Sequence, residues 1–401
     1  VVNQLCSTNV VGRDELIAQL WTLLQNHSLR FTAERRVGKT TVMLKLHDQP
    51  AHNFQPLFID LEKISSPTHF VEALLQSAHA HNLLSRSAQA LKSWQSLLRQ
   101  LGGLEIAGMI KLPTDSRQHW SATLDTVLHE LCQQPDHRRP LLLLDELPYM
   151  LQRFAADGCP ADALLLLDCL RAARQKYPGL RMIFAGSIGL HHVLRELRQQ
   201  TLASEPLNDL PAVEIRGLEM AAACQLARQQ LHNYQLQLAP DQAPAVLERI
   251  ALRTDGVPFY VAALVSHLAS HAEPVTPQSV DLVVRHLLTA DADPWEMEHF
   301  RSRLPAYYRG TISDANGRLI PQCHIASELL DHFALADQPL SINHAWTAMR
   351  SRFALTDRQF LVQLLRSLAQ DHYLVSSSDK LYSFRFPLIR SWWRIAQGLE
   401  S

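Results

Sequence analysis

The first half of the chain predicts an α/β fold on a mostly parallel sheet covered on both faces, and the second half predicts regions that are largely helical. Two observations carry this. Short continuous apolar runs, FQPLFIDL at 54–61, LLLL at 141–144 and RMIFAG at 181–186, alternate with amphipathic helical segments, and strands buried on both faces read as such unbroken runs. Within that alternation a strand-like run feeds a glycine-lysine-threonine triplet that opens a helix. Strand, loop and helix in that order are what a phosphate-binding loop requires.

In chain order, VGRDELIAQLWTLL at 11–24 repeats apolar positions at helical spacing, with Asp14 and Glu15 in the first turn, where the helix dipole favours acids. Residues 28–33 read as a short strand, 41–47 as the following helix, and 68–81 as another. Between Asn82 and Trp120 the pattern loosens around a Gly-Gly pair, and LEIAGMIKL suggests an inserted hairpin. Helices are expected over 121–132 and 162–176. After Leu207 the strand signals nearly vanish, and 219–236, 244–252, 258–272 and 277–288 read as helices divided by Gly, Pro and Asp-rich breaks. From about Ile325 three helices precede a hairpin, HYLVSSSDKLYSFRF, which is the order of a winged helix. The expected division is therefore an α/β core over 1–206 with an insertion near 82–120, a helical lid over 207–290, and a winged-helix-like region over 291–401.

Composition narrows the possibilities. A chain of 401 residues has room for two or three domains, and 47% hydrophobic with 19% charged residues is the balance of a soluble globular protein. A formal net charge of −1 offers no bulk attraction for nucleic acid or anionic lipid, so such binding needs a local patch. Six cysteines without a Cys-x-x-Cys pair argue against a disulfide framework and a zinc site, and point to a reducing, cytoplasmic setting. None of the 20 histidines sits in a spacing such as His-Glu-x-x-His, so most are expected on helix surfaces or in packing. No run of 18 uncharged apolar residues and no signal segment is present, so neither membrane spanning nor export is expected.

The chemistry concentrates in Ala33-Glu34-Arg35-Arg36-Val37-Gly38-Lys39-Thr40-Thr41. In a phosphate loop, backbone N–H groups cradle phosphate oxygens, the lysine reaches the β- and γ-phosphates of ATP, and the next hydroxyl ligates Mg2+. Gly38, Lys39 and Thr40 occupy those places. Ala33 stands where the pattern has its first glycine, a position that can require backbone angles costly for a β-carbon. Downstream, the run at 141–144 ends in Asp145 and Glu146. Carboxylates at the end of a buried strand are costly unless they face a cleft or metal, which assigns Asp145 to magnesium and its water shell and Glu146 to accepting a proton from attacking water. The competing reading is that both acids cap the next helix, whose start Pro148 marks. Ser187, just beyond the third strand, is a candidate sensor of the γ-phosphate, or an ordinary turn residue. Arg35 and Arg36 are candidates for contact with nucleotide, a neighbouring subunit or a surface acid. Together these features define a RecA-like P-loop sheet. No Gly-x-Ser-x-Gly elbow or metal-ligand helix supports other hydrolytic chemistry.

The chain resembles the bacterial and archaeal ATPases at the boundary of AAA+ and STAND proteins, often called archaeal-type ATPases. The resemblance rests on VGRDE at 11–15, RRVGKT at 35–40, FIDL, LLLLDEL, FAGSIG, GVPFY at 256–260 and the closing FRFPLIRSWWR. It implies that Gly12 and Arg13 lie near the adenine, that Ser187 is the sensor-1 residue, and that Pro258 belongs to a nucleotide-facing motif of the lid; read on its own, Gly-Val-Pro is simply a helix start. It also implies an ATP-hydrolysing switch coupled to a protein or DNA partner, in a chain able to form homo-oligomers. The alternative is a slow or non-hydrolysing nucleotide-clasped scaffold acting through the C-terminal region. Arg195, Arg198 and Arg253 are not distinguishable as arginine fingers. The helix over 357–370 offers a DNA groove only Arg358 and Arg366 against Asp357, and the wing adds Lys380 beside Asp379; charge so sparse neutralises few phosphates, and protein contact is the competing use. The Trp392-Trp393 pair is expected in packing more than as a platform for bases.

Overall fold

A computed structural model describes residues 10–51, 53–81, 104–106, 109–111, 120–133, 138–186, 189–200, 205–270 and 274–399. The chain divides into two compact units, Val1–Ile215 and Arg216–Ser401.

In the first unit, α1 (Asp14–Leu24) is followed by β1 (Leu29–Thr32), α2 (Lys39–Asp48), β2 (Phe54–Asp60), α3 (Pro67–Ala80), the hairpin β3 (Leu104–Ile106) and β4 (Met109–Lys111), and α4 (Trp120–Cys132). Then come β5 (Arg139–Asp145), α5 (Leu147–Ala156), α6 (Pro160–Lys176), β6 (Arg181–Phe184), α7 (Leu190–Gln200) and β7 (Ala212–Glu214). Five strands form one sheet in the order β2-β5-β6-β1-β7, and every pairing is parallel. This is the RecA-like P-loop α/β fold. Leu141, Leu142, Leu143 and Leu144 of β5 are fully buried, as a strand covered on both faces demands. The register of β2 on β5 pairs Phe54 with Arg139 and ends with Asp60 opposite Asp145. Strand β7 was not anticipated: three residues cannot display a period, and only pairing with β1 at the sheet edge makes AVE a strand.

Two helix ends in this unit are closed by side chains. Ser66 accepts the His69 N–H at 3.1 Å ahead of Pro67, the usual start of a helix. At the other end of α1, the Arg181 guanidinium donates to the carbonyls of Leu24 at 2.8 Å and Gln25 at 2.9 Å. Those carbonyls have no partner within the helix.

The second unit contains α8 (Met220–Asn233), α9 (Ala243–Arg253), α10 (Pro258–Ala269), α11 (Pro277–Thr289), α12 (His299–Tyr307), β8 (Thr311–Ser313), β9 (Leu319–Pro321) and α13 (Gln322–Leu335). It closes with β10 (Leu340–Ser341), α14 (Ile342–Phe353), α15 (Arg358–Gln370), β11 (Leu374–Ser376), β12 (Leu381–Phe384) and α16 (Pro387–Ala396). After helix α13 come strand β10, helices α14 and α15 and the β11–β12 hairpin, and the three strands form an antiparallel sheet in the order β10-β12-β11. The β8–β9 hairpin escaped the sequence reading. Its turn is held by Asp314, whose Oδ1 accepts the N–H of Asn316 and of Arg318, both at 2.8 Å. Trp392 and Trp393 are buried, and Trp393 donates its indole N–H to Asp331 at 2.7 Å. The pair is packing, as expected, and offers no exposed stacking face.

Asp255, largely buried at the turn between α9 and α10, accepts the Leu388 N–H at 2.8 Å and so caps α16. Burial pushes its carboxyl up from the ordinary 3.8 to about 6, against the favourable bond from Leu388. A raised value in the fold means that the folded state favours the protonated form. The stability this gives is complete below about pH 4 and is lost as pH rises through about 6. Asp255→Asn, neutral and still able to accept from Leu388, is expected to remove that loss. By neutral pH the variant is more stable than wild type by on the order of 2 kcal/mol, as read from urea midpoints at acid and neutral pH.

Candidate phosphate-binding site

Strand β1 delivers the chain into the loop 33–38, and α2 begins at Lys39. The left-handed backbone in this loop falls on Arg36 (φ 70°) and Gly38 (φ 96°), not on Ala33. The β-carbon of Ala33 therefore carries no such strain, and the cost expected there moves to Arg36, where a left-handed L-residue costs about 1–2 kcal/mol. At Gly38 a β-carbon would meet nothing closer than Thr41 at 3.8 Å. The backbone angle, not space, asks for glycine.

Lys39 is 6% exposed, and its ammonium donates to the carbonyls of Ala33 at 3.2 Å and Glu34 at 3.0 Å. Burial lowers its pKa; the charges of Glu34, Glu146 and Asp145 pull it back up, and Arg35 opposes them. The Thr40 hydroxyl donates to Asp145 Oδ2 at 2.6 Å, joining residues 105 apart in sequence. Asp145 is 3% exposed, and its Oδ1 accepts the Glu146 N–H at 3.0 Å. Burial raises the Asp145 pKa, while Thr40, the Glu146 amide and Lys39 favour its ionised form. Glu146 takes the left-handed conformation (φ 56°) at the start of α5 and makes no side-chain capping bond, so its carboxylate does not serve the helix start that Pro148 marks.

Two further groups complete the loop. Arg13, buried at the start of α1, donates to the Val37 carbonyl at 2.8 Å, and burial lowers its pKa. Its guanidinium thus holds the loop's backbone, with Gly12 in the preceding turn at φ 65°. Glu34, 5% exposed, accepts the Arg35 N–H at 2.8 Å through Oε1. Val37 is buried, whereas Thr41 is partly exposed on the first turn of α2. One residue was missed from sequence. Asp60, which ends β2 directly opposite Asp145, adds a third acid at this sheet edge, and its charge raises the Asp145 pKa further. The signal was present, since FIDL, like LLLLDE, is an apolar run ending in an acid.

Ser187 lies outside the described residues. Its neighbour Gly186 is described, and a β-carbon there would meet Pro148 Cδ at 2.2 Å. The end of β6 is thus pressed against the start of α5, a contact only glycine permits. Pro258 opens α10 in the second unit with Val257 as its cap, the arrangement of a helix start. Arg253 pairs with Asp281 at 2.6 Å, and Arg195 is exposed on α7.

Chemically, the start of α2 offers unpaired backbone N–H groups and the positive end of a helix dipole, to which Lys39 adds a full charge; together they suit an anion. Beside it, the Thr40 hydroxyl and the Asp145 carboxylate converge within hydrogen-bond distance. An all-oxygen pair of this kind suits a hard cation such as Mg2+. Fold and loop define the class: a P-loop α/β protein of the Walker type.

Among solved structures, the chain is similar to a Walker-type ATPase of Pyrococcus abyssi, at 16% identity and a TM-score of 0.58, over 96% of this chain and 97% of that one. It also aligns with the ORC2 protein of Aeropyrum pernix, at 11% identity and a TM-score of 0.44 over 99% and 97%. A third alignment is with the RuvB Holliday junction branch migration motor of Thermotoga maritima, at 12% identity and a TM-score of 0.39 over 93% and 92%. Identities at this level speak for fold alone, and the first carries that statement. No protein-family model and no curated protein sequence matches the chain. No described helix is long and apolar enough to cross a membrane.

Proposed function

We propose that the first unit binds ATP with Mg2+ and hydrolyses it, and that nucleotide state acts as a switch read by a partner. The observation that carries this is the 2.6 Å bond from Thr40 to Asp145, with Lys39 held beside it on loop carbonyls. It joins the phosphate loop to the acidic strand end in the arrangement that magnesium nucleotide requires. On binding, Lys39 exchanges the carbonyls of Ala33 and Glu34 for β- and γ-phosphate oxygens. Thr40 and Asp145 hold magnesium and its water, and the ion when bound neutralises phosphate charge. The amides of Arg36, Val37, Gly38 and Thr41 line the cradle, the Arg35 amide joining them on giving up its bond to Glu34 Oε1; Gly12 and Arg13 flank the adenine, and Ser187 senses the γ-phosphate. Glu146, next to the metal acid and not spent on capping, is the general base. Residues 207–290, with Pro258, serve as the lid, and 291–401 carry the signal outward.

The output is favoured to be protein contact over DNA. Arg358, at the start of the candidate recognition helix, donates to Asn343 Oδ1 at 2.5 Å; with Arg366 and Lys380 it makes three exposed cations on that helix and hairpin, set against the exposed acids Asp357 and Asp379, which neutralises few phosphates. A second reading, a slow nucleotide clasp, is favoured by Glu34: a buried carboxylate inside an anion-binding loop lowers its positive potential. The deciding experiment is Glu146→Gln. ATP affinity is expected to stay within about threefold of wild type while turnover falls by about 100-fold or more. Turnover equal to wild type would remove Glu146 from the mechanism, and absent turnover in wild type despite tight binding would select the clasp.

A further inference from the structure

We propose that His47 and His81 form a binding site for one divalent transition-metal ion, of the zinc or nickel kind, where the C-terminal ends of α2 and α3 meet. The two Nε2 atoms are 3.0 Å apart. The other nitrogen of each ring is committed. His47 Nδ1 lies 2.7 Å from Asp48 Oδ1, and His81 Nδ1 lies 2.8 Å from the Ser77 carbonyl oxygen. An ionised carboxylate and a backbone carbonyl can only accept, so both Nδ1 atoms carry the hydrogen and both Nε2 atoms present a lone pair. Two lone pairs at that separation require a cation between them. It is a proton or a metal.

The surroundings fit a metal. Ligating histidines typically give their second N–H to a carboxylate or a backbone carbonyl, which fixes the tautomer and raises basicity; here one ring has each kind of partner. Imidazole nitrogen suits zinc, nickel and copper over magnesium or calcium. Zinc–nitrogen bonds of about 2.0–2.1 Å at a tetrahedral angle place two nitrogens about 3.3–3.4 Å apart, so the rings need open by only a few tenths of an ångström. They meet edge to face, at 85°, which keeps their carbon edges clear of each other. The His47 side chain retains 23% exposure, enough for water to complete the coordination. His47 lies in the last turn of α2 and His81 caps the end of α3, where both helix dipoles favour positive charge. The sequence conceals the pair, because 34 residues separate its members. A bound ion would staple α3 to α2, the helix that begins with Lys39 and Thr40.

The test is a zinc titration of the full chain against a chromophoric chelator, for wild type, His47→Gln, His81→Gln, the double variant and Asp48→Asn. Wild type is expected to take up one equivalent more than either single histidine variant, and the double variant to lose no more than one. Asp48→Asn keeps both ligands and is expected to retain the equivalent at about tenfold weaker affinity, which separates lost ligation from lost folding. Zinc is expected to raise the Tm of wild type but not of the histidine variants. Equal uptake and equal Tm response in wild type and both single variants would overturn the proposal and leave the pair bridged by a proton.

Discussion

Lys39→Ala is expected to weaken ATP binding by at least about 100-fold. The ammonium is buried, flanked by the acids Glu34, Asp145 and Glu146, and held by two loop carbonyls. Removing it strips the loop of the charge that faces phosphate and leaves those acids to repel the nucleotide. Hydrogen bonds to charged groups contribute about 1.5–3 kcal/mol each, so losing a lysine shared by two phosphates readily exceeds two decades of affinity. Lys39→Met, which keeps the apolar stem, should lose as much, because the charge and not the packing does the binding. Fluorescent-nucleotide titration reads both. Affinity within tenfold of wild type would mean that the phosphates sit elsewhere.

Gly256→Ala is expected to cost the second unit about 4 kcal/mol or more. Gly256 has φ 63°, and a β-carbon there would lie 2.1 Å from the Leu218 carbonyl oxygen. The same two residues are joined by the Leu218 N–H donating to the Gly256 carbonyl at 2.7 Å. The left-handed angle alone costs about 1–2 kcal/mol for alanine. The overlap is with backbone, which cannot rotate away, so the segment before α8 must separate from the turn before α10 and lose that bond. Gly317→Ala, in the same unit, is the control: φ is 79° but nothing lies within 4 Å of the added carbon, so only the angle is charged. Denaturant midpoints should show the two variants well apart; equal losses would mean that the close approach at Leu218 is not retained in solution.

The candidate loop and its acids are legible in the sequence because they are local. Lys39 and Thr40 follow Gly38 directly, and Asp145 and Glu146 end an unmistakable apolar run. What was not legible depends on pairing or on distance. Asp60 gains meaning only from its register opposite Asp145. The reach of Arg13 to the Val37 carbonyl spans 24 residues, and no periodicity encodes it. The strain assigned to Ala33 was misplaced to the wrong residue, since the loop turns at Arg36 and Gly38. Similarly, β7 and the β8–β9 hairpin are too short for a period to show, and sheet pairing or an aspartate-held turn creates them. Gly256-Val257-Pro258 could be read as a helix start, but the close approach to Leu218 could not.

The most direct test of the central claim is an equilibrium titration of ATP into the full chain, with Mg2+ and with EDTA. If Thr40 and Asp145 hold magnesium against phosphates bound by Lys39, one ATP per chain binds, and tight binding requires the ion. No saturable binding, or binding indifferent to EDTA, would contradict the account.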